Sequence, residues 1–218
     1  MFHGVLREFW RKARLFMPFS TRWNEKPLDD VESASGFVGT RAAFVAQTTL
    51  YGYVRTRAGT RYTQLFDDDL FAQSLNIAKW QLFLACVADL ANYVAAGCRE
   101  RLDEDSEREL ALSFLRSALA EYDEPARTVP DWAEAVARAE SRLRLVRPDP
   151  EDPVSAFRGS EDALIHWAPI ADELKIHDEG IVRNSIRFKW KDIRIQLTAS
   201  LKSNAVAEDF AAVRPAAE

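Results

Sequence analysis

The sequence predicts an all-α fold: a single-domain bundle of about six to eight helices with an amphipathic helix at its N-terminus. Glycine and proline are few, with eight and nine residues among 218, whereas the many turns of all-β sandwiches and barrels require both. Hydrophobic residues make up 47% of the chain. In most segments they recur at spacings of three and four, which places them on one face of a helix.

Three parts are expected along the chain. Residues 1–17 are predicted to form an amphipathic basic helix, which Pro18 ends. Residues 18–201 are predicted to be the helical bundle domain, and the alanine-rich residues 202–218 are predicted to be a frayed tail. The chain length allows one domain, at most with appendages.

Two long helices are expected at the start of the bundle domain. The first should begin at Asp29 or Asp30 and end near residue 57, and the second should cover about residues 67–96. An aspartate at a helix N-terminus accepts hydrogen bonds from free backbone N–H groups and interacts favourably with the helix dipole. Residues 80–96 contain few polar side chains, so the second helix is predicted to be the buried centre of the fold.

Shorter helices are expected next. One should begin at Glu104, and Asp131 is expected to cap another that ends near Val146. Ser160 is typical of a further helix start, and Pro169 should kink that helix or restart it.

The sequence of residues 180–201 is compatible with a helix or with a strand. Residues 186–191 alternate between apolar and charged side chains, as a strand does, but a helix collects the apolar residues of the whole segment on one side. We predict a helix and keep the strand as the alternative. Such a helix has a second apolar side formed by Ile181, Phe188 and Ile195, so it is either sandwiched inside the bundle or offers that side to a partner.

Two basic surfaces are candidate contact sites. Residues 1–60 hold nine basic and five acidic residues, and the N-terminal helix combines an aromatic apolar face with a basic polar face. This helix fits the protein's own bundle, an anionic membrane surface, or a groove of a partner protein. The predicted contact residues are Phe2, Arg7, Phe9, Trp10, Arg11 and Arg14 in this helix and Arg183, Arg187, Lys191 and Arg194 in the last one.

A third candidate site lies in the first helix of the bundle domain. Arg41, Thr48 and Arg55 are seven residues apart within an apolar arc, and buried arginines need anionic partners. Asp89 in the second helix can supply one. We therefore expect either a buried arginine–carboxylate network that fixes the helix register or a polar pocket for an anionic small molecule.

Motifs for catalysis or metal binding do not occur in the sequence. The aspartates at 67–69 are adjacent, so they point in different directions, which favours a helix N-terminus over a shared metal site. Neither Glu-x-x-His nor a glycine-rich phosphate loop is present. The nucleophile elbow Gly-x-Ser-x-Gly is also absent, and only a triad of Ser160, His166 and Asp172 could be drawn. No cofactor and no metal are predicted.

Composition and charge limit the classes of partner that the chain can bind and indicate its cellular compartment. The net charge of −5 argues against nucleic acid as a partner. No uninterrupted apolar run reaches the roughly eighteen residues of a spanning helix. The two cysteines, Cys86 and Cys98, form no disulfide framework, and no signal peptide is recognisable, which indicates a reducing cytoplasm.

Three short stretches lie within residues 18–95: Ser20-Thr21-Arg22-Trp23, Phe44-Val45-Ala46-Gln47-Thr48-Thr49-Leu50-Tyr51-Gly52-Tyr53 and Gly59-Thr60-Arg61-Tyr62. In these stretches the chain resembles an uncharacterised all-helical bacterial family of about this length, whose members are sometimes labelled esterases. The stretches correspond to no catalytic signature, so the resemblance implies no site residue.

These observations predict a cytoplasmic, non-enzymatic interaction protein. It would be an accessory or adaptor subunit of a larger assembly, with a protein partner and with contact to the inner membrane face as an option. The alternative is a hydrolase or esterase-like enzyme, or a binder of small anions, with a pocket near Arg41, Arg55 and Asp89.

Overall fold

The structure, a computed structural model, describes residues 26–149 and 152–213. Within these residues the chain is a single all-α domain, as predicted, and it contains no β-strand. Nine helices occur in this part of the chain, and seven of them have seven or more residues. They are α1 (Val31–Ala58), α2 (Asp69–Ala96), α3 (Glu104–Ala120), α4 (Glu124–Thr128), α5 (Trp132–Leu145), α6 (Pro153–Ala156), α7 (Arg158–Trp167), α8 (Asp172–Ser200) and α9 (Ser203–Val213). The predicted helix of residues 1–17 lies outside the described residues.

Aspartates begin the two longest early helices, as the sequence predicts. The side chain of Asp30 accepts a hydrogen bond from the backbone N–H of Ser33 at 2.6 Å and caps α1. The side chain of Asp68 accepts from the N–H groups of Leu70 and Phe71 and caps α2. Asp131 differs, because it lies in the left-handed region with φ 52° and its side chain forms no capping bond with α5. The predicted cap at Asp131 is therefore wrong, although the helix begins where expected.

Helix α2 is the centre of the fold, as predicted. It packs against α1, α3, α5 and α7. From Trp80 to Ala96 nearly every side chain is buried, including Cys86 and Asp89. Burial on all sides follows from the scarcity of polar residues in this segment.

Helix α8 confirms the helical alternative for residues 180–201. It begins at Asp172, eight residues earlier than the expected start, and Pro169 separates it from α7. Its buried side packs against α1 and α7. The rings of Trp190 and Phe157 stack there, with their centroids 4.4 Å apart.

The C-terminal segment differs from the expected frayed tail, because residues 203–213 form α9. Alanine favours helix, and the fully buried side chain of Val206 anchors this helix to the core. The carboxylate of Asp209 also accepts a hydrogen bond from the backbone N–H of Val31 at 2.9 Å, at the N-terminus of α1. These contacts supply the stabilisation that composition alone does not show.

Candidate functional site

Helix α8 is apolar on two opposite sides. Its buried side consists of Val182, Ile186, Trp190, Ile193 and Leu197, at the spacings of three and four that one helix face requires.

The opposite side of α8 carries large apolar residues that the described residues leave exposed. Leu174, Ile181, Phe188 and Ile195 expose 42, 75, 61 and 61% of their surface, and we call these four residues the α8 stripe. They are seven residues apart, so they form one row that is about 32 Å long at 1.5 Å per residue. The alternative in which described helices sandwich α8 on both sides is therefore wrong.

A cleft of about 340 Å³ opens beside Ile181, between α1 and α8. Gly52 forms part of its wall, and a Cβ atom added at Gly52 would meet no atom within 4 Å. The missing side chain therefore leaves a notch next to the α8 stripe. A side chain that lies on the stripe near Ile181 can enter this notch.

A polar cluster in the wall of the cleft joins α1 and α8. The guanidinium of Arg57 donates two hydrogen bonds to the carboxylate of Asp178, which also accepts a hydrogen bond from the Tyr53 hydroxyl at 2.9 Å. The hydrogen bonds from Arg57 lower the pKa of Asp178. Burial, together with the bond to Asp178, raises the pKa of Tyr53 to about 12, so the hydroxyl remains a donor at neutral pH.

Two predicted partner contacts, Arg183 and Arg187, form ion pairs within the chain. The carboxylate of Glu161, which is fully buried, accepts two hydrogen bonds from Arg187 at 2.7 Å. Arg183 donates to Asp162 at 2.7 Å and to Glu179 at 2.8 Å. These ion pairs hold both guanidinium groups, because a buried carboxylate needs a cation beside it. The expected contact of the two arginines with a partner remains a prediction.

The other predicted contact residues fall into two groups, those that the structure describes and those that lie outside the described residues. Lys191 is exposed and Arg194 is half-buried, and both lie beside the α8 stripe, so their role remains a prediction. Phe2, Arg7, Phe9, Trp10, Arg11 and Arg14 lie outside the described residues.

Asp89 is bound by residues that the sequence did not indicate. Its carboxylate forms an ion pair with Arg142 of α5 and accepts a hydrogen bond from the backbone N–H of Ser160 at 2.6 Å. Burial raises the pKa of Asp89, and Arg142 opposes this effect. The expectation that Asp89 pairs with arginines of α1 is therefore wrong.

The three α1 residues of the predicted pocket have separate surroundings. Arg41 donates to the side-chain oxygen of Gln196 at 2.8 Å and lies over the Phe37 ring. The hydroxyl of Thr48 donates to the carbonyl of Phe44 at 2.8 Å, and Arg55 is exposed. The structure does not bring these side chains and Asp89 into one pocket.

The hydroxyl of Ser160 is fully enclosed. It donates to the carbonyl of Phe157 and accepts a hydrogen bond from the indole N–H of Trp190 at 2.9 Å. A nucleophile needs access to substrate, so this arrangement is structural. No group of three or more His, Cys, Asp and Glu side chains within the described part of the chain is placed to hold a metal ion.

Sequence reasoning identified three of the four stripe residues but missed Leu174 and the cleft. Leu174 continues the row at the same heptad spacing, so a search begun at residue 172 would have found it. The cleft depends on how α1 packs against α8, and no local signal at Gly52 indicates that packing.

Comparison with known protein families, with curated proteins and with solved structures found no match to this chain. The resemblance to an esterase-labelled family therefore stays a prediction. Among residues 26–149 and 152–213, no helix is both long enough and apolar enough to cross a membrane.

Proposed function

We propose that this chain is an interaction protein, an accessory or adaptor subunit that binds a helix of another protein along the α8 stripe. The exposure of four large apolar side chains in one row on α8 carries the proposal. Single exposed apolar residues are ordinary on protein surfaces, whereas four large ones aligned on one side of a helix indicate a contact surface.

The spacing of the row defines the chemistry of the partner. A helix that presents apolar residues every seven positions can lie along a row with the same repeat. The notch at Gly52 accepts one apolar side chain of that helix. Asp192, which is exposed on the flank of the stripe, favours a lysine or arginine at the matching position of the partner.

The cysteines support the predicted compartment. Cys86 and Cys98 are both buried as free thiols, which suits a reducing cytoplasm. Contact with the inner membrane face depends on the predicted helix of residues 1–17 and remains a prediction.

The test is affinity capture of the tagged full chain and of two stripe variants. Ile181→Asp introduces a charge into the row, and Gly52→Leu fills the notch without adding charge. Leu145→Asp is the matched control, because Leu145 is 83% exposed on α5, away from the stripe. We expect one near-stoichiometric partner with the wild type and the control and its loss with both stripe variants at unchanged melting temperature. Equal capture by all four proteins would contradict the proposal.

A further inference from the structure

The cleft between α1 and α8 has an apolar inner part and a polar wall. Its inner part contains the side chains of Leu164 and Val182, which are almost fully buried. The wall is the polar cluster of Tyr53, Arg57 and Asp178. A ligand that fills this cleft therefore needs an apolar body and a polar end.

The polar cluster has hydrogen-bonding capacity left for a ligand. The guanidinium of Arg57 has more N–H groups than the two that it uses to bind Asp178. The carboxylate of Asp178 has about four lone-pair sites and accepts three hydrogen bonds, two from Arg57 and one from Tyr53. A hydroxyl group suits this cluster, because it can accept a hydrogen bond from Arg57 and donate one to Asp178.

The charges of the polar cluster cancel each other. Arg57 is positive, and its hydrogen bonds lower the pKa of Asp178, so the carboxylate stays negative at neutral pH. An anionic ligand would lose its hydration beside this carboxylate, and Asp178 already neutralises the nearest cation. The cleft therefore favours a neutral ligand.

The size of the cleft selects among neutral hydroxyl groups. Its volume is about 340 Å³, which a serine or threonine side chain would leave largely empty. Tyrosine combines a large apolar ring with a hydroxyl. We infer that the cleft binds a phenol group and that the partner helix supplies it as a tyrosine side chain. The inference rests on the proposed function, which places one side chain of the partner at the notch beside Gly52, and it names that side chain.

Titration of the full chain with p-cresol, the side-chain analogue of tyrosine, tests the site. We expect p-cresol to shift the NMR signals of the methyl groups of Leu164, Ile181 and Val182, which line the cleft. Toluene lacks the hydroxyl, and p-toluate carries a carboxylate in its place. Both should bind at least about fivefold more weakly than p-cresol, the ratio that one hydrogen bond of about 1 kcal/mol produces.

Two glycine variants locate the site. Gly52→Leu places a side chain in the cleft and should abolish the shifts that p-cresol causes. Gly36→Leu is the matched control, because Gly36 lies in the same helix and an added Cβ atom there also meets nothing within 4 Å. This control should keep the affinity of the wild type. Unchanged methyl signals away from the cleft show that each variant is folded.

Three results of the titration overturn the inference. Absence of shifts with p-cresol means that the cleft binds no phenol. Equal affinity for toluene means that the cleft is a purely apolar notch, and tighter binding of p-toluate means that it is an anion site. Binding that survives Gly52→Leu places the phenol elsewhere and overturns the inference as well.

Competition distinguishes a tyrosine of the partner from a free small phenol. The captured partner should bind the chain about tenfold more weakly in p-cresol at about ten times its own Kd, and p-toluate at the same concentration should have no effect. Unchanged affinity in p-cresol overturns the tyrosine assignment. Capture of a partner without p-cresol binding overturns this inference alone. Binding of p-cresol without a captured partner contradicts the proposed function and the tyrosine assignment but leaves the phenol site.

Discussion

Arg142 on α5 forms an ion pair with Asp89 on α2, across 53 residues of sequence. Asp89 is fully buried, and the Arg142 side chain is one-third exposed. The backbone N–H of Ser160, in α7, donates a hydrogen bond to the second carboxylate oxygen of Asp89. This pair therefore joins α2, α5 and α7 at one point.

Removing Arg142 should destabilise the fold. Arg142→Ala leaves the carboxylate of Asp89 buried without its cation, which costs about 3 kcal/mol of unfolding free energy. Chemical denaturation monitored by circular dichroism measures the loss. Arg116→Ala is the control: its ion pair with Glu140 lies on the surface, so its loss should cost at most about 1 kcal/mol. A larger loss for Arg116→Ala than for Arg142→Ala would show that the assigned pairing is wrong.

Gly159 allows Arg142 to reach Asp89. A Cβ atom at this position would collide with the guanidinium of Arg142 and would lie 2.7 Å from a carboxylate oxygen of Asp89. We expect Gly159→Ala to destabilise the fold by about 1–3 kcal/mol, as overpacking does. Denaturation of the single and double variants should show that Gly159→Ala costs less once Arg142→Ala is present.

Gly180 provides the matched control for that experiment. It lies within α8, and an added Cβ atom meets nothing within 4 Å. Gly180→Ala should therefore stabilise the protein by about 0.5–1 kcal/mol, because alanine favours helix over glycine. Equal losses at residues 159 and 180 would contradict the steric argument.

Lys79 should make stability depend on pH. Its ammonium group is 3.2 Å from a carboxylate oxygen of Glu124, and burial lowers its pKa from 10.5 to about 8. Between pH 8 and 10.5 the unfolded chain binds more protons than the folded one, so the contribution of Lys79 to stability rises with pH. Below pH 8 both states are protonated and the contribution is constant.

Lys79→Met removes this titration. We expect the stability of the wild type relative to the variant to increase by up to about 2 kcal/mol between pH 7 and pH 9.5, at 1.36 kcal/mol per pKa unit. Urea denaturation of both proteins at the two pH values measures the difference. A constant difference, or one that falls with pH, would refute the pKa shift.

The C-terminal helix should be required for stability. Val206→Asp places a charge among fully buried side chains and should cost at least about 2 kcal/mol. Ala211→Asp, on the exposed side of α9, is the matched control and should be nearly neutral. Equal melting temperatures for the two variants would indicate that residues 203–213 are a frayed tail that adds no stability.

Local signals predicted most of the described fold. The aspartate caps at Asp30 and Asp68, the break at Pro169 and the spacing of apolar residues each depend on neighbouring residues, so the sequence reveals them directly. The predictions that failed depend on distant contacts. Nothing near residue 206 indicates that α9 covers the start of α1, since residues 31 and 209 meet only through the fold.

The candidate site was predictable only in part. Heptad spacing revealed Ile181, Phe188 and Ile195, because periodicity belongs to one helix. Which side of a helix stays exposed depends on its neighbours, so spacing alone left the sandwiched alternative open. The partner of Asp89 could not be inferred, because the sequence contains many arginines and only the packing of α5 against α2 selects Arg142.

Photo-crosslinking at Phe188 tests whether another protein contacts the α8 stripe. Benzoylphenylalanine replaces Phe188 in cells, and Leu145 is replaced in the control. We expect a covalent adduct with one other protein at position 188 and none at position 145. Absence of any adduct with another protein at position 188, or the same adducts at both positions, would contradict it.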